Sequence, residues 1–228
     1  MSTDAARSPQ PLDADAFRTM RHAMVASQLR TNAVNDPRVV VAMGRVPREL
    51  FVPEDERPFA YLDRQVALGR GRYLNVPVAT GRLLTEAYLQ PDDRVLLIGS
   101  ATGYAAAVLS ELVAHVAAVE SDPELVAHAR RVLGAEPKVE LVEGPMPDGA
   151  PGRAPYDVLV IDGAVEFVPE PLLEQLHPGA RIVSGLVEDN VIRLASGRRS
   201  AGGYGLLGFA DMDCAVLPGF SRPRRFVF

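Results

Sequence analysis

The sequence has little cysteine and no long apolar run. Its 228 residues include one cysteine, Cys214, so an internal disulfide is impossible and a reducing compartment is the natural location. It contains no stretch of 18 consecutive apolar residues, which argues against a membrane-spanning helix. The first fifteen residues, MSTDAARSPQPLDAD, lack an apolar core and carry three aspartates, so we interpret 1–15 as a disordered tail rather than a signal peptide. We therefore expect a cytoplasmic protein that does not bind a membrane.

Basic residues do not outnumber acidic ones. The chain carries 24 lysines and arginines against 29 aspartates and glutamates, which gives a formal net charge of −5 at pH 7. Because a surface that binds nucleic acid needs an excess of positive charge, this balance argues against a nucleic-acid partner. With 47% hydrophobic and 23% charged residues, the chain fits one globular domain with a small appendage. Nothing in the composition indicates an oligomeric state.

Two common nucleotide-binding motifs are missing. The apolar run 95–98 is followed by Gly99, but Ala101 and Tyr104 stand where a G-x-G-x-x-G motif has its second and third glycines. This departure disfavours a dinucleotide-dependent dehydrogenase. No Gly-Lys-Ser/Thr sequence follows the turn, so it is not a P-loop either.

Strand-like and helical segments alternate along the second half of the chain. The predicted strands are 94–98, 116–120, 139–143, 157–161 and 181–187, and the predicted helices between them are 103–113, 123–134 and 169–176. Such alternation is typical of an α/β fold with a mainly parallel sheet covered on both faces. Two further strand-like runs near the C-terminus predict an antiparallel pair at the edge of the sheet.

The first part of the chain is helical and irregular. Apolar residues recur at helical spacing over 15–29, and Asp36-Pro37 predicts the start of a second helix. The segment 46–77 is rich in proline, arginine and glycine, and 78–89 is periodic again. We divide the chain into a tail at 1–15, a helical N-terminal appendage at 16–80, and an α/β domain at 81–228.

Gly99, Gly103 and Glu120 form the candidate ligand site. In an open parallel sheet, ligands bind beyond the carboxyl ends of the strands, where glycine allows a tight turn and close backbone approach. Glu120 ends the next predicted strand, 21 residues after Gly99, and a carboxylate there can accept hydrogen bonds from both ribose hydroxyls of an adenosine-type cofactor. We expect an open pocket at this rim of the sheet, with the 99–103 turn as its floor.

Five consecutive pieces of the chain carry a family resemblance. They read MVASQLRTNAVNDPRVVVAMGRVPRELFVP, AYLDRQVALGRGR, VLLIGSATGYAAAVLSEL, VAAVESDPELVAHAR and APYDVLVIDGAVEFVPEPLLEQLHPGARIV, in this order between Met24 and about Gly185. Together they resemble the protein-L-isoaspartate O-methyltransferases. The resemblance is greatest to the shorter bacterial members, whose chains end like SRPRRFVF.

The resemblance implies a fold, a cofactor and a reaction. The fold is that of the class I S-adenosylmethionine-dependent methyltransferases, which is Rossmann-like and mainly parallel with antiparallel C-terminal strands. The reaction moves a methyl group from S-adenosyl-L-methionine to the α-carboxylate of L-isoaspartyl residues in damaged proteins, and the ester then cyclises and partly reopens as normal aspartate. Because that carboxylate is already ionised near neutral pH, positioning supplies most of the acceleration and no metal is needed.

The resemblance also implies the site residues. The residues implied for the cofactor are Gly99, Ser100, Ala101, Gly103, Glu120, Ser121, Gly144, Met146 and Asp162. Asn75 and Arg72 are implied as catalytic residues that face the acceptor carboxylate. Two other interpretations stay open, namely Arg72 as a solvated loop arginine and Asp162 as a cap of a turn or helix.

Three stretches depart from the family pattern. The substrate loop, usually G-Q-T-I-S-Q-P, reads GRYLNVP over 71–77, with Asn75 at the serine position. In the cofactor loop, Leu97 replaces an acid and Ala101 replaces a glycine, and Pro145 stands where the family has an aspartate near the adenine. Each missing polar contact is worth about 1 kcal/mol, so the three cofactor-site losses together predict affinity weakened about a hundredfold.

These departures keep two other functions open. One is a methyltransferase that acts on a different acceptor. The other is a catalytically silent member that binds a protein partner through the N-terminal appendage.

Overall fold

The computed structural model describes residues 12–189 and 191–222, and its centre is a seven-stranded sheet. Its strands are β3 (Arg94–Ile98), β4 (His115–Glu120), β5 (Val139–Glu143), β6 (Tyr156–Val165), β7 (Leu176–Glu188), β8 (Val191–Ser200) and β9 (Gly203–Asp211). Their order across the sheet is β5-β4-β3-β6-β7-β8-β9. The pairings from β5 to β7 are parallel, and β8 and β9 add antiparallel pairings at the edge. The predicted α/β fold with antiparallel C-terminal strands is confirmed.

Six α-helices accompany the sheet in the described part of the chain. They are α1 (Ala14–Met24), α2 (Pro37–Arg45), α3 (Pro77–Glu86), α4 (Tyr104–Ser110), α5 (Pro123–Leu133) and α6 (Glu170–Glu174). Aspartate caps begin three of them, because the side chains of Asp13, Asp36 and Asp122 each accept a hydrogen bond from a backbone N–H of the first turn. A separate antiparallel hairpin joins β1 (Val66–Gly69) to β2 (Arg72–Leu74). None of the helices in these two ranges has the length and apolar character needed to cross a membrane.

Successive residues of the central strands point to opposite faces of the sheet, as strand geometry requires. On β3, Leu97 is buried in the cluster that contains the N-terminal helices, whereas Leu96 and Ile98 belong to a second cluster on the other face. Because both faces of β3 are covered, its sequence is a continuous apolar run rather than an alternating one.

The N-terminal region shares the main core. Met24 of α1 and Met43 of α2 are 1% and 0% exposed and lie in the same apolar cluster as Leu97. The predicted boundary between 80 and 81 falls inside α3, so the two predicted parts share a helix. Helix α1 begins at Ala14, within the predicted tail, and residues 1–11 of that tail lie outside the described residues.

Strand β6 is longer than the 157–161 segment that its apolar run predicts. Its pairing with β3 ends at Ile161, but it continues to Val165 and pairs there with β7, with Ala164 opposite Gly185. On its other side Ala164 forms an isolated parallel bridge with Val216. The extension therefore depends on partners that are distant in the sequence.

Candidate active site

The sheet has one topological switch point, between β3 and β6. From β3 the chain proceeds outward to β4 and β5, then returns to β6 and proceeds in the opposite direction. In open α/β sheets, ligands bind in the crevice beyond the carboxyl ends of the strands at such a point. Gly99 directly follows β3 and Gly163 lies near the end of β6, so both border this crevice.

The turn after β3 has a left-handed backbone at three alternate residues. The φ angles of Gly99, Ala101 and Gly103 are 77°, 48° and 98°. The backbone N–H groups of Gly99 and Ser100 both donate to the carbonyl of Val119 at 3.1 Å, which fixes the turn against the end of β4. Ala101 is the one residue of these three with a side chain, and its Cβ atom costs about 1–2 kcal/mol in this conformation.

Glu120 lies at the end of β4 and is 0% exposed. Its Oε2 accepts a hydrogen bond from the Ala101 N–H at 2.9 Å, and its Oε1 accepts from the Ser121 and Asp122 N–H groups at 2.7 and 3.1 Å. The Arg72 guanidinium completes this shell, with Nη1 2.5 Å from Oε1 and Nη2 2.7 Å from Oε2. This two-point arrangement is the geometry in which arginine binds carboxylates most specifically.

Arg72 binds Glu120 in the structure, whereas the sequence analysis predicts that it faces the acceptor carboxylate. Arg72 is 8% exposed and belongs to β2, so it is not a solvated loop arginine. In this conformation both terminal nitrogens of its guanidinium bind Glu120, and the contact with an acceptor carboxylate stays a prediction.

The expectation of an open pocket above the 99–103 turn is wrong for this conformation, because Leu217 fills the crevice. A Cβ atom added to Gly99 would lie 2.7 Å from Leu217 Cδ1, and one added to Gly163 would lie 2.7 Å from Leu217 Cγ. The Leu217 N–H donates to the Ala164 carbonyl at 2.9 Å, and the Ala164 N–H donates to the Ala215 carbonyl at 2.8 Å. The segment that follows β9 thus lies along β6 where β3 has ended.

Asn75 and Asp162 form a buried polar cluster beside the crevice. Asn75 Nδ2 and Thr80 Oγ1 both donate to Asp162 Oδ1, at 3.0 and 2.8 Å. Asn75 Oδ1 accepts from the Val76 and Ala215 N–H groups at 3.0 and 3.2 Å. Burial raises the pKa of Asp162, while these hydrogen bonds and the Arg48 charge act against that rise. Asp162 is therefore a buried acid that is hydrogen-bonded to Asn75. Its contact with the cofactor stays a prediction.

Arg48 and Tyr104 are two buried residues that the sequence analysis did not select. Arg48 donates from Nε to the Ala60 carbonyl at 2.8 Å and from Nη2 to the Asn75 carbonyl at 2.6 Å. Its guanidinium lies 4.7 Å from the centre of the Tyr104 ring. Burial lowers the pKa of Arg48 and raises that of Tyr104 to about 12. The only signal in the sequence is an arginine within the apolar piece VPRELFVP, which is too weak to assign a role.

The remaining predicted residues lie around the turn and the end of β5. Ser100 is buried and its Oγ has no hydrogen-bond partner among the described residues. Ser121 is exposed, and its Oγ lies 3.3 Å from Glu120 Oε1. The Gly144 N–H donates to the Glu120 carbonyl at 3.1 Å, and Met146 is 1% exposed in the apolar cluster that includes Leu217. Their contacts with a cofactor stay predictions.

Sequence comparison places these residues in a known family. The sequence model of the family "Protein-L-isoaspartate(D-aspartate) O-methyltransferase (PCMT)" matches residues 20–204, which is more than half of the chain. The chain belongs to the protein-L-isoaspartate O-methyltransferase family. A protein-L-isoaspartate O-methyltransferase from Aeropyrum pernix is 42% identical over 183 residues, covering 78% of this chain and 70% of the relative. One from Methanoculleus marisnigri is 38% identical over 175 residues, covering 76% and 80%.

Solved structures of the family have the same fold. A protein-L-isoaspartate O-methyltransferase superposes with a TM-score of 0.74 at 24% identity, covering 87% of this chain and 66% of that one. A Plasmodium falciparum protein named as a member of the family, solved in complex with S-adenosyl-L-homocysteine, superposes with a TM-score of 0.70 at 16% identity, covering 88% and 97%. Both confirm the predicted fold class.

The chemical groups of the site fit the cofactor of this family, S-adenosyl-L-methionine. Glu120 supplies a buried carboxylate, Ser100 a hydroxyl with no partner within 12–189 and 191–222, and Gly99 a backbone without a Cβ atom at the switch point. In this conformation, however, Arg72 binds the carboxylate and Leu217 fills the space above Gly99. These chemical groups are suited to the cofactor, but the side chains of Arg72 and Leu217 lie against them in this conformation.

Proposed function

We propose that this chain is an S-adenosyl-L-methionine-dependent methyltransferase that acts on the α-carboxylate of L-isoaspartyl residues in damaged proteins. The observation that carries the proposal is the family match over 20–204, which includes both Asn75 in the substrate loop and Glu120 in the cofactor site. The relatives from Aeropyrum pernix and Methanoculleus marisnigri bear the name of this activity.

The chemistry requires little from the protein beyond positioning. S-adenosyl-L-methionine, when bound, supplies a methyl group on a positively charged sulfur. The acceptor carboxylate is ionised near neutral pH, because α-carboxyl groups have pKa values of about 3.5, so no general base is needed. Asn75 would orient the acceptor through its amide, and Glu120 would bind the ribose hydroxyls. Arg48 would help to position Asn75, because its Nη2 donates a hydrogen bond to the Asn75 backbone carbonyl.

A surface cavity of about 410 Å³ offers the acceptor a route to this site. Val76, next to Asn75, forms one part of its wall, and Met212 and Asp213 from the segment after β9 form another. Arg64 also lines it, and the lining as a whole holds more acidic than basic side chains. We propose that the isoaspartyl peptide enters here.

The remaining properties are proposals as well. The net charge of −5 argues against a nucleic-acid partner, and the single cysteine is consistent with a reducing compartment. We propose a cytoplasmic protein that acts on damaged proteins in solution rather than on a membrane surface.

Transfer of a labelled methyl group tests the function. The full chain is incubated with methyl-labelled S-adenosyl-L-methionine and a peptide with one L-isoaspartyl residue, and base-labile label in the peptide is counted. The same peptide with a normal aspartyl residue is the control. Label in the isoaspartyl peptide alone supports repair, and equal label in both peptides or in neither contradicts it.

A variant pair tests the role of Asn75. Asn75→Ala removes the proposed amide donor and is expected to lower kcat/KM about tenfold or more, since one lost hydrogen bond to a charged group costs about 1.5–3 kcal/mol. Asn75→Ser restores the usual family residue and is expected to retain activity. Asn35→Ala, an exposed asparagine in the loop before α2, serves as the matched control and should leave kcat/KM unchanged.

One observation keeps the two alternative functions in view. These are a catalytically silent member and a methyltransferase with another acceptor. The side chains of Arg72, Asn75 and Glu120 are all hydrogen-bonded within the chain. Calorimetric titration with S-adenosyl-L-homocysteine, run beside the transfer assay, separates the candidates. Binding without transfer to the isoaspartyl peptide favours another acceptor, and no binding at about millimolar concentration favours a silent protein-binding member.

A further inference from the structure

Arg72 stands where the sugar of the cofactor would bind. Glu120 follows the strand next to the switch point, and its two oxygens already accept three backbone N–H groups. The two remaining strong bonds come from Nη1 and Nη2 of Arg72, at 2.5 and 2.7 Å. Two ribose hydroxyls would need these same two oxygens as acceptors. Arg72 and the ribose are therefore mutually exclusive partners of Glu120.

Leu217 stands where the cofactor would approach the turn. The segment 215–217 pairs with the part of β6 that extends beyond β3, through the hydrogen bonds between Ala164 and residues 215 and 217. This places it in line with β3, directly above Gly99. Leu217 is 5% exposed and Phe220 is 1% exposed, and both pack in one cluster with Ile98 and Met146. The segment is thus built into the core rather than resting on the surface.

The two occupants belong to different parts of the chain. Arg72 comes from the β1–β2 hairpin and Leu217 from the segment after β9, and they close two different portions of one site. From this geometry we infer that Arg72 and Leu217 set the affinity of the protein for its cofactor, by acting as internal competitors for the ribose position and the switch-point crevice. The inference rests on the proposed function and adds the determinants of cofactor affinity to it.

Competition of this kind lowers the apparent affinity by a calculable factor. When only a fraction of the molecules has the site open, the apparent dissociation constant is the intrinsic one divided by that fraction. Removing one competitor raises the open fraction, so the cofactor should bind more tightly to the variant than to the wild type. A substitution in a merely structural residue would lower stability without tightening binding.

Calorimetric titration with S-adenosyl-L-homocysteine tests the inference on the full chain. Arg72→Ala and Leu217→Ala are each expected to bind about tenfold more tightly than wild type, and the double variant more tightly than either. Arg70→Ala is the control for the hairpin, because Arg70 is exposed and pairs with Glu124. Val216→Ala is the control for the segment, because Val216 is 59% exposed beside Leu217. Both controls should stay within about twofold of wild type.

Folding is verified by thermal melting, and Arg72→Gln is the replacement if Arg72→Ala does not fold. Glutamine keeps an amide NH₂ group that can donate to the buried Glu120 but lacks the charged fork, so the variant should still bind the ligand more tightly than wild type. Wild-type binding with no tightening in the Arg72 and Leu217 variants would overturn the inference and leave the proposed function standing. Absence of binding in every variant at about millimolar ligand would overturn both.

Hydrogen exchange gives a readout that is independent of affinity. The Leu217 amide is bonded to the Ala164 carbonyl at 2.9 Å, and this bond must break if the ligand displaces the segment. Saturating S-adenosyl-L-homocysteine should therefore speed exchange at Leu217. The Val116 amide, which donates to the Lys138 carbonyl at 2.8 Å between β4 and β5, is the reference and should not speed up. Slower or unchanged exchange at Leu217 in the bound protein would show that the segment stays in place, contrary to the inference.

Discussion

Asp162 is a buried carboxylic acid, and one of its oxygens accepts two hydrogen bonds. Asn75 and Thr80 both donate to Oδ1, and burial raises the pKa of the acid nonetheless. An acid in this position is more costly to ionise in the folded protein than in the unfolded chain. The contribution of Asp162 to the stability of the folded protein therefore depends on pH, which would not be expected of an exposed acid with an ordinary pKa.

The raised pKa of Asp162 predicts a pH-dependent effect of Asp162→Asn. Between the unfolded and folded pKa values the folded state holds more protons, so the contribution of Asp162 to stability is present below the unfolded value and is lost as pH rises through the folded value. The asparagine retains an oxygen for Asn75 and Thr80 but does not ionise. We expect the melting temperature of the variant, relative to wild type, to increase from about pH 4 upward and then level off. A difference that is constant over this range would contradict the expectation.

Cys214 provides a second prediction at this scale. It is 1% exposed, and burial raises the pKa of its thiol to about 12, with a smaller contribution from the Asp162 charge. Since the thiolate is the reactive form, the native protein should react with a disulfide reagent near pH 8 at least about a hundredfold more slowly than the urea-unfolded chain. Rapid native labelling, followed by absorbance, would show that the segment containing Cys214 opens readily.

At the scale of elements, the junction of β3 and α4 depends on glycine at its last residue. Gly103 has a φ of 98°, and an added Cβ atom would lie 3.0 Å from Leu133 Cδ1 and 3.1 Å from Ala129 Cβ, both on α5. This position is constrained twice, by the backbone conformation and by the close approach of a second helix. The turn and α5 therefore fix each other.

Gly103→Ala is expected to lower the free energy of unfolding by about 1–3 kcal/mol. The left-handed conformation and the close contacts with α5 each contribute to the loss. Urea denaturation measures it, with Gly152→Ala as the matched control, because an added Cβ atom meets nothing within 4 Å there. Equal losses for both variants would show that the junction has no special requirement for glycine.

At the scale of the whole molecule, the N-terminal helices are part of the common core. Met43 is 0% exposed in a cluster that extends from α1 to the central strands, and its sulfur lies 3.2 Å from the Cβ position of Gly81 on α3. Because α3 crosses the predicted boundary between 80 and 81, unfolding of one part must disturb the other. We expect one cooperative unit.

Met43→Ala tests this cooperativity. The substitution should cost about 2–5 kcal/mol through lost burial and the resulting cavity. Scanning calorimetry of wild type and variant should show a single transition that moves as a whole to lower temperature, with equal calorimetric and van't Hoff enthalpies. Two separate transitions, of which only one moves, would mean that the N-terminal region unfolds independently.

The strands of the sheet could be predicted from the sequence where a local pattern defines them. The segments 94–98 and 139–143 match β3 and β5 residue for residue, because β3 is a buried apolar run and β5, which reads VELVE, has valine and leucine between its acids. The ends of β6 and β7 could not be predicted, since their extensions exist only through pairing with each other and with Val216. The local sequence pattern therefore predicts the bounds of β3 and β5, whereas contacts between distant residues determine where β6 and β7 end.

The candidate site shows the same division. The left-handed turn at 99–103 and the acid at the end of β4 follow from local sequence, and the structure has both. The contacts of Arg72 with Glu120 and of Leu217 with Gly99 join residues 48 and 118 positions apart. Nothing in the spacing of these residues indicates the contacts, because they depend on where the hairpin and the segment after β9 pack.

The β1–β2 hairpin is held by two ion pairs of opposite character. Arg70 pairs with Glu124, and their side chains are 61% and 68% exposed, whereas Arg72 and Glu120 are 8% and 0% exposed. Dissolved salt screens the first pair and hardly reaches the second. Raising the ionic strength therefore loosens the tip of the hairpin while its inner arginine remains in place. A change in electrolyte concentration alone would free the outer pair and leave the buried carboxylate of Glu120 bound to its arginine.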